Sequence, residues 1–216
     1  MDIESRAKRH AALGDPIRLA LVDDLSTSDR TPGELSQRHG VPSNLLAHHL
    51  DVLEKAALVV RLSSSGDARR RYVHLKHEAL AGLGVSFPAP DGPVLFICTH
   101  NSARSQLAAA VWSESLGEPA SSAGTHPAER IHPGAVEAAA RAGLDISGGR
   151  PRSIDEIELQ QSLVITVCDR AHEELTPEAT WWHWSTPDPV DLATPEAFDG
   201  ALAALRDRIE TLGRTR

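Results

Sequence analysis

Cys98 closes an apolar run, VLFIC, and is followed after five residues by Arg104 and Ser105, which lead into the alanine-rich stretch SQLAAAVW. A strand, a short loop and a helix start in that order can hold a tetrahedral oxyanion. The loop residues Thr99, His100, Asn101, Ser102 and Ala103 can turn successive backbone N–H groups inward, and the helix N-terminus adds positive potential. Arg104 brings a planar donor fork that a lysine cannot reproduce. The same field stabilises a negative sulfur, and the thiolate is the form that attacks. Ser105 can donate to that sulfur, and Asn101 tolerates the left-handed backbone such a loop needs. A buried strand-end cysteine is the bland alternative for Cys98 by itself; Arg104 and Ser105 at this spacing argue for a nucleophile.

The elements that must position this loop follow from the pattern around it. After residue 92 the chain alternates: strand VLFIC, helix SQLAAAVWSESLG, short strand SSAGT, helix HPGAVEAAARAGL, strand SLVITVC and a last helix PEAFDGALAALRDRIETLG. Such a succession predicts an α/β domain with a parallel sheet flanked by helices on both faces. The stretch LAGLGVSFPAPDGPV concentrates Gly and Pro, as a linker does. We therefore expect two domains, residues 1–80 and 92–216, joined by a linker at 81–91. No run of about 18 apolar residues and no apolar segment after the charged N-terminus is present, which predicts a cytoplasmic protein without a membrane partner. Two cysteines are too few for a disulfide framework, so reactive or buried thiols are expected.

Charge separates the halves. Residues 1–80 hold 12 Lys and Arg against 11 Asp and Glu, whereas the remainder holds 10 against 19. A near-neutral half with an Arg-Arg-Arg run can present a basic face even in a chain of net charge −8. Its apolar periodicity is helical, with Leu13, Ile17, Leu21 and Leu25 at i+4 spacing on one predicted helix face. Thr31 can cap a helix with Pro32 at its first position and Glu34 completing a capping box. Gly40 ends that helix, and Ser43 can cap the next. Leu46, Leu50 and Leu53 then form an inward stripe, leaving Asn44, His48, His49 and Asp51 on other faces to meet base edges or phosphates. The segment LVVRLSSSGDARRRYVHL reads as a β-hairpin whose Arg69, Arg70 and Arg71 can neutralise phosphates beside the groove. Helix, turn, helix and basic hairpin make a mainly α winged helix-turn-helix, with the second helix directed at the major groove.

LGDPIRLALVDDL, the helix pair and the wing together resemble the ArsR/SmtB family of dimeric bacterial repressors across the first domain. That resemblance implies a homodimer on double-stranded operator DNA, with Ser43, Asn44, His48, His49 and Arg69 to Arg71 as its contacts. Arsenic-sensing members carry a cysteine pair on the helix matching GELSQRHG; none is present, so thiolates of this domain cannot hold trivalent arsenic. Zinc-sensing members use Asp, His and Glu on a C-terminal helix. Here His74, His77 and Glu78 stand before the linker and read as surface residues, so no metal is expected.

The pattern C-x5-R-S resembles the low-molecular-weight protein tyrosine phosphatases and the arsenate reductases of the same fold, and CTHNSARSQLA is closer to the reductases. The similarity continues through SAGT, HPGAVEAAARAGLDISGGRPRSI, VITVCDRA and PDPVD, nearly all of residues 93 to 213. It implies that Asp188 of the Asp-Pro pair protonates the leaving oxygen. It also implies that Cys168 stands where relay reductases place the thiol that attacks the arseno-cysteine adduct. Those enzymes carry a third cysteine a few residues on, and DRAHEEL has none, so an external thiol must serve as reductant with no bound cofactor. Tyrosine phosphatases of this fold follow Asp-Pro with an aromatic residue; Val190 and Asp191 follow here, which weakens the aryl-phosphatase reading. Trp181, Trp182 and Trp184 are expected to pack beneath that loop.

Three functions stay open on this reading. One is a DNA-binding regulator fused to a working arsenate reductase, or a phosphatase acting on a phosphoprotein. Another is a regulator whose C-terminal pocket binds arsenate, phosphate or arsenite as effector without turnover. In the third, Cys98 and Cys168 jointly bind trivalent arsenic.

Overall fold

The computed structural model describes residues 2–80, 83, 90, 92–157, 162–178 and 180–213. These form two compact units, Met1–Ser64 with Ala68–Phe87 and Ser65–Asp67 with Pro88–Arg216. Most of the predicted linker lies outside the described residues.

The first unit begins with α1 (Ile3–Leu13) and α2 (Pro16–Leu25). The expected single face through Leu13, Ile17, Leu21 and Leu25 is split between them. Asp15 caps α2 by accepting from Arg18 N, with Pro16 in its first turn, so Leu13 ends one helix and the other three belong to the next. α3 (Pro32–His39) starts on the predicted capping box of Thr31 and Glu34 and ends at Gly40, whose φ of 63° is open to glycine without strain. α4 (Ser43–Lys55) follows with Pro42 at its cap and no side-chain cap bond, so Ser43 is its first residue and not its cap. Strands β1 (Val59–Ser63) and β2 (Arg71–Leu75) pair antiparallel as the hairpin. Arg30 adds an antiparallel bridge to Val73, with Val73 N donating to Arg30 O at 2.7 Å. Leu21, Leu25, Leu35, Leu46, Leu50 and Leu53 are buried together as the core.

The second unit is a four-stranded sheet in the order β4-β3-β5-β6, parallel throughout. Its strands are β3 (Val94–Cys98), β4 (Ala120–Gly124), β5 (Leu163–Thr166) and β6 (Trp182–His183). All five residues of β3 are buried, the continuous apolar run expected of a parallel strand with both faces covered. The helices are α5 (Arg104–Leu116), α6 (Pro133–Arg141), α7 (Asp169–Glu174), α8 (Pro189–Leu192) and α9 (Pro195–Gly213). α5 and α9 pack on one another, and α7 packs on β3 and β5. Phe96 sits between Trp112 and Trp184, with both ring centroids 5.7 Å away. Trp184 is 1% exposed and lies under the Arg208 guanidinium at 5.7 Å, while Trp181 is buried, so the tryptophans before Asp188 include core residues. Strand β3 has β4 on one side and β5 on the other, so its carboxyl end is a topological switch point, where open α/β sheets bind ligands.

Candidate functional site

The loop leaving that end of β3 is folded around the Cys98 sulfur. Asn101 N donates to Cys98 Sγ at 3.2 Å, and Ser105 Oγ lies 3.1 Å from the same sulfur. Asn101 Nδ2 donates to Ser105 Oγ at 2.8 Å, which leaves the hydroxyl proton to point at the sulfur. Asn101 has φ 48°. That conformation is held by two bonds to its Oδ1, from Arg152 N at 2.9 Å and Gln106 Nε2 at 3.1 Å. Gly124 closes the floor: a Cβ there would meet Thr99 O at 2.7 Å and Asn101 N at 3.0 Å. The sequence signal for it was a glycine at a strand end, where another backbone approaches closely.

Arg104 is the first residue of α5 and 4% exposed. Its Nη1 donates to Thr186 O at 2.9 Å and its Nη2 to Asp188 Oδ2. Burial opposes the guanidinium's charge, but Cys168, Cys98, Asp188 and Asp169 around it together hold its proton more tightly than usual. Asp188 also caps α8, accepting from Val190 N at 3.1 Å. Cys98, His100, Ser102, Ala103, Arg104, Asp188 and Val190 line one small pocket. The loop with its arginine and the Asp-Pro aspartate, 84 positions further along the chain, are thus brought to one place.

Cys168 is buried and its thiol is free, as is that of Cys98. Its Sγ lies 3.2 Å from Thr99 Oγ1, so the second cysteine adjoins the same loop. Beside it is a buried polar cluster that sequence reasoning did not find. Thr166 Oγ1 is 2.9 Å from both His172 Nδ1 and His183 Nδ1, and the two rings stack with centroids 4.0 Å apart. His183 Nε2 is 3.0 Å from Asp169 Oδ1. Burial opposes the Asp169 charge, yet the bond from His183 and its neighbours holds the carboxyl below its usual range. Only β6, too short to show in the sequence pattern, brings His183 there.

In the first unit, Ser43, Asn44 and His48 are exposed on α4, and Arg69, Arg70 and Arg71 are exposed near the hairpin tip. His49 is not on an outer face. It is 5% exposed, neither ring nitrogen has a hydrogen-bond partner, and Asp15 Oδ1 lies 3.7 Å from its Nδ1. Leu46, His49, Leu50 and Leu53 fall at i, i+3, i+4 and i+7, the spacing of a buried helix stripe, and that signal was available. Asp51 is engaged too, with Arg61 Nη2 at 2.6 Å. Nor are the histidines before the linker plain surface residues: His77 is buried against Ser26 O at 3.0 Å, and His74 faces Asp29 at 3.2 Å. Among the described residues no group of three His, Cys, Asp or Glu is placed to hold a metal ion. Nor is any described helix long and apolar enough to cross a membrane.

Residues 93–214, more than half of the chain, match the low molecular weight phosphotyrosine protein phosphatase family, and the protein belongs to it. Residues 13–61 match a helix-turn-helix domain. Among its relatives is arsenate reductase 2 of Staphylococcus epidermidis, 35% identical over 123 residues, which are 55% of this chain and 90% of that protein. The arsenate reductase of Staphylococcus xylosus is 40% identical over 105 residues, 45% of this chain and 78% of that protein. Among solved structures, the low molecular weight protein tyrosine phosphatase of T. tengcongensis is 27% identical with a TM-score of 0.50, covering 56% of this chain and 97% of that one.

Proposed function

We propose that the protein is an ArsR-type, dimeric DNA-binding regulator of an arsenic or oxyanion response whose C-terminal domain reduces arsenate, the two parts meeting at residues 81–91. One observation carries the catalytic reading: the Cys98 sulfur receives an inward amide and a serine hydroxyl in the pocket that Arg104 and Asp188 also line. Arsenate takes the place of Asp188 on the Arg104 fork, with loop N–H groups on its oxygens. The Cys98 thiolate attacks arsenic, the S–As bond forms, and an oxygen leaves as water once Asp188 supplies a proton. A second thiol then attacks Cys98 Sγ. The S–S bond forms, the S–As pair of electrons stays on arsenic, and arsenic leaves as arsenite. Cys168 beside Thr99 or an external thiol supplies that second sulfur. With two cysteines in the chain, an external reductant must close the cycle either way.

The test is arsenite release from full-length protein given arsenate and a thiol, with mass spectrometry of the trapped protein. A Cys98 to Cys168 bond or a thiol attached to Cys98 is expected; absence of both, with no arsenite formed, rejects the reading.

A second reading is favoured by the Arg104 to Asp188 pair. An oxyanion that displaces Asp188 also displaces the residues after it, which suits an effector pocket without turnover. Operator affinity that responds to arsenate or phosphate in a Cys98→Ser protein would select it.

A further inference from the structure

We propose that His100 is the general base that activates the incoming external thiol, an inference that rests on the reductase reading above. The external thiol that begins regeneration must attack Cys98 Sγ as thiolate, and a proton acceptor beside the sulfur raises the fraction in that form. His100 lines the pocket with Cys98 and is exposed to solvent. Its Nδ1 lies 3.0 Å from the backbone oxygen of His126. A carbonyl oxygen only accepts, so Nδ1 carries the proton and the neutral ring keeps its lone pair on Nε2.

That orientation is built in behind the ring. His126 N donates to Thr99 O at 2.8 Å and Ala128 N to His100 O at 2.9 Å, stitching the 126–128 segment to the anion loop. Glu174 holds the same segment, with Oε1 2.6 Å from His126 Nε2 and Oε2 accepting from Thr125 Oγ1 at 3.0 Å. The other ionisable groups of the pocket have tasks already: Cys98 is the nucleophile, and Arg104 and Asp188 hold each other. Cys168 is buried behind Thr99.

The step balances. Nε2 takes the proton of the thiol, whose sulfur bonds to Cys98 Sγ while the bond from Cys98 to arsenic, or to Cys168 if the internal disulfide has formed, breaks. The electron pair goes to the departing arsenic, which passes from the pentavalent to the trivalent state, or to Cys168 as thiolate. The proton on His100 then passes to the departing arsenite oxygen or sulfur, and a second external thiol attacks the mixed disulfide left on Cys98, freeing Cys98 as thiolate and releasing the oxidised small disulfide.

The experiment compares full-length wild type with His100→Gln and His100→Ala in arsenate turnover at one pH, driven by a series of small thiols of decreasing pKa. With alkyl thiols, mostly protonated near neutrality, kcat/KM for the thiol is expected to fall at least about tenfold, toward the lower range for a lost general base. The deficit is expected to vanish with an aryl thiol that is already ionised, and added imidazole is expected to restore the Ala variant. An equal loss with every thiol, or no loss with any, overturns the assignment while leaving the reductase reading standing. A wild-type protein that forms no arsenite with any thiol removes both.

Discussion

The loop after β3 and the outer face of α4 both gather polar groups, and they hold them in opposite ways. In the loop, Asn101, Arg104 and Ser105 are at most 4% exposed, and each is engaged with another polar group of the site. On α4, Ser43, Asn44 and His48 stand in solvent. Buried polar groups are costly unless satisfied, so a loop of this kind is stable only in the arrangement that aims its donors at one point. Exposed groups cost nothing to present and leave their geometry to be set by a partner. The Cys98 loop has its donors fixed by the fold itself; the α4 face leaves its side chains to be ordered by whatever it meets.

Four expectations would sharpen that contrast or break it. The largest effect is on the fork: Arg104→Lys keeps a charge but loses bidentate geometry, and should lower arsenate turnover about 10²- to 10³-fold, as loss of a transition-state donor does. An activity within a few-fold of wild type would mean that the loop amides alone hold the anion. Next is the floor. Gly124→Ala forces a methyl group against Thr99 O and Asn101 N, and overpacking of this kind should cost about 1–3 kcal/mol in urea unfolding while also impairing turnover.

On α4 the adjacent histidines should part company. His48→Ala should weaken operator binding about tenfold, the lower end of a lost base contact, with the urea midpoint hardly moved. His49→Leu should leave operator affinity unchanged and shift stability by no more than about 1 kcal/mol, since its ring nitrogens have no hydrogen-bond partner to lose. The reverse pattern would show that α4 turns on the DNA.

The smallest effect is on acid stability. Burial opposes the charge of Asp24 and of Asp169, but Arg38, Arg30 and His39 around the first and His183 beside the second hold both carboxyls below the ordinary 3.8. Their contribution is therefore complete above that value and lost as pH falls through the lower folded values. Asp24→Asn should flatten the loss of stability below about pH 4, read as urea midpoints against pH; an unchanged slope would deny Asp24 that part.

What the sequence made legible was local. The capping box at Thr31 and Glu34, the turn at Gly40 and the succession of strands and helices all depend on residues within a few positions of one another. So does the Cys98, Arg104 and Ser105 spacing. What stayed hidden depends on contacts across the fold. The approach of Gly124 to Thr99 follows from β4 lying beside β3, and the bond between Arg104 and Asp188 joins residues 84 positions apart. His49 misled because its polarity was weighed above its place in the stripe of Leu46, Leu50 and Leu53. Ser43 failed as a cap because the chain enters α4 one residue earlier, at Pro42. The cluster of Thr166, His172, His183 and Asp169 had no signal at all, since each of its members is an ordinary polar residue until the sheet gathers them.

Arg30 and Val73 exchange two backbone hydrogen bonds. These bonds tie the hairpin to the residue just ahead of the capping box that opens α3, so a swing of the hairpin away from the helix pair would break both. In the proposed complex with DNA, the hairpin arginines and the α4 side chains would approach the duplex together, as the teeth of one comb. Under the proposed function, control of operator occupancy would then reposition the whole comb, or its spacing from a second copy, and leave each tooth in place.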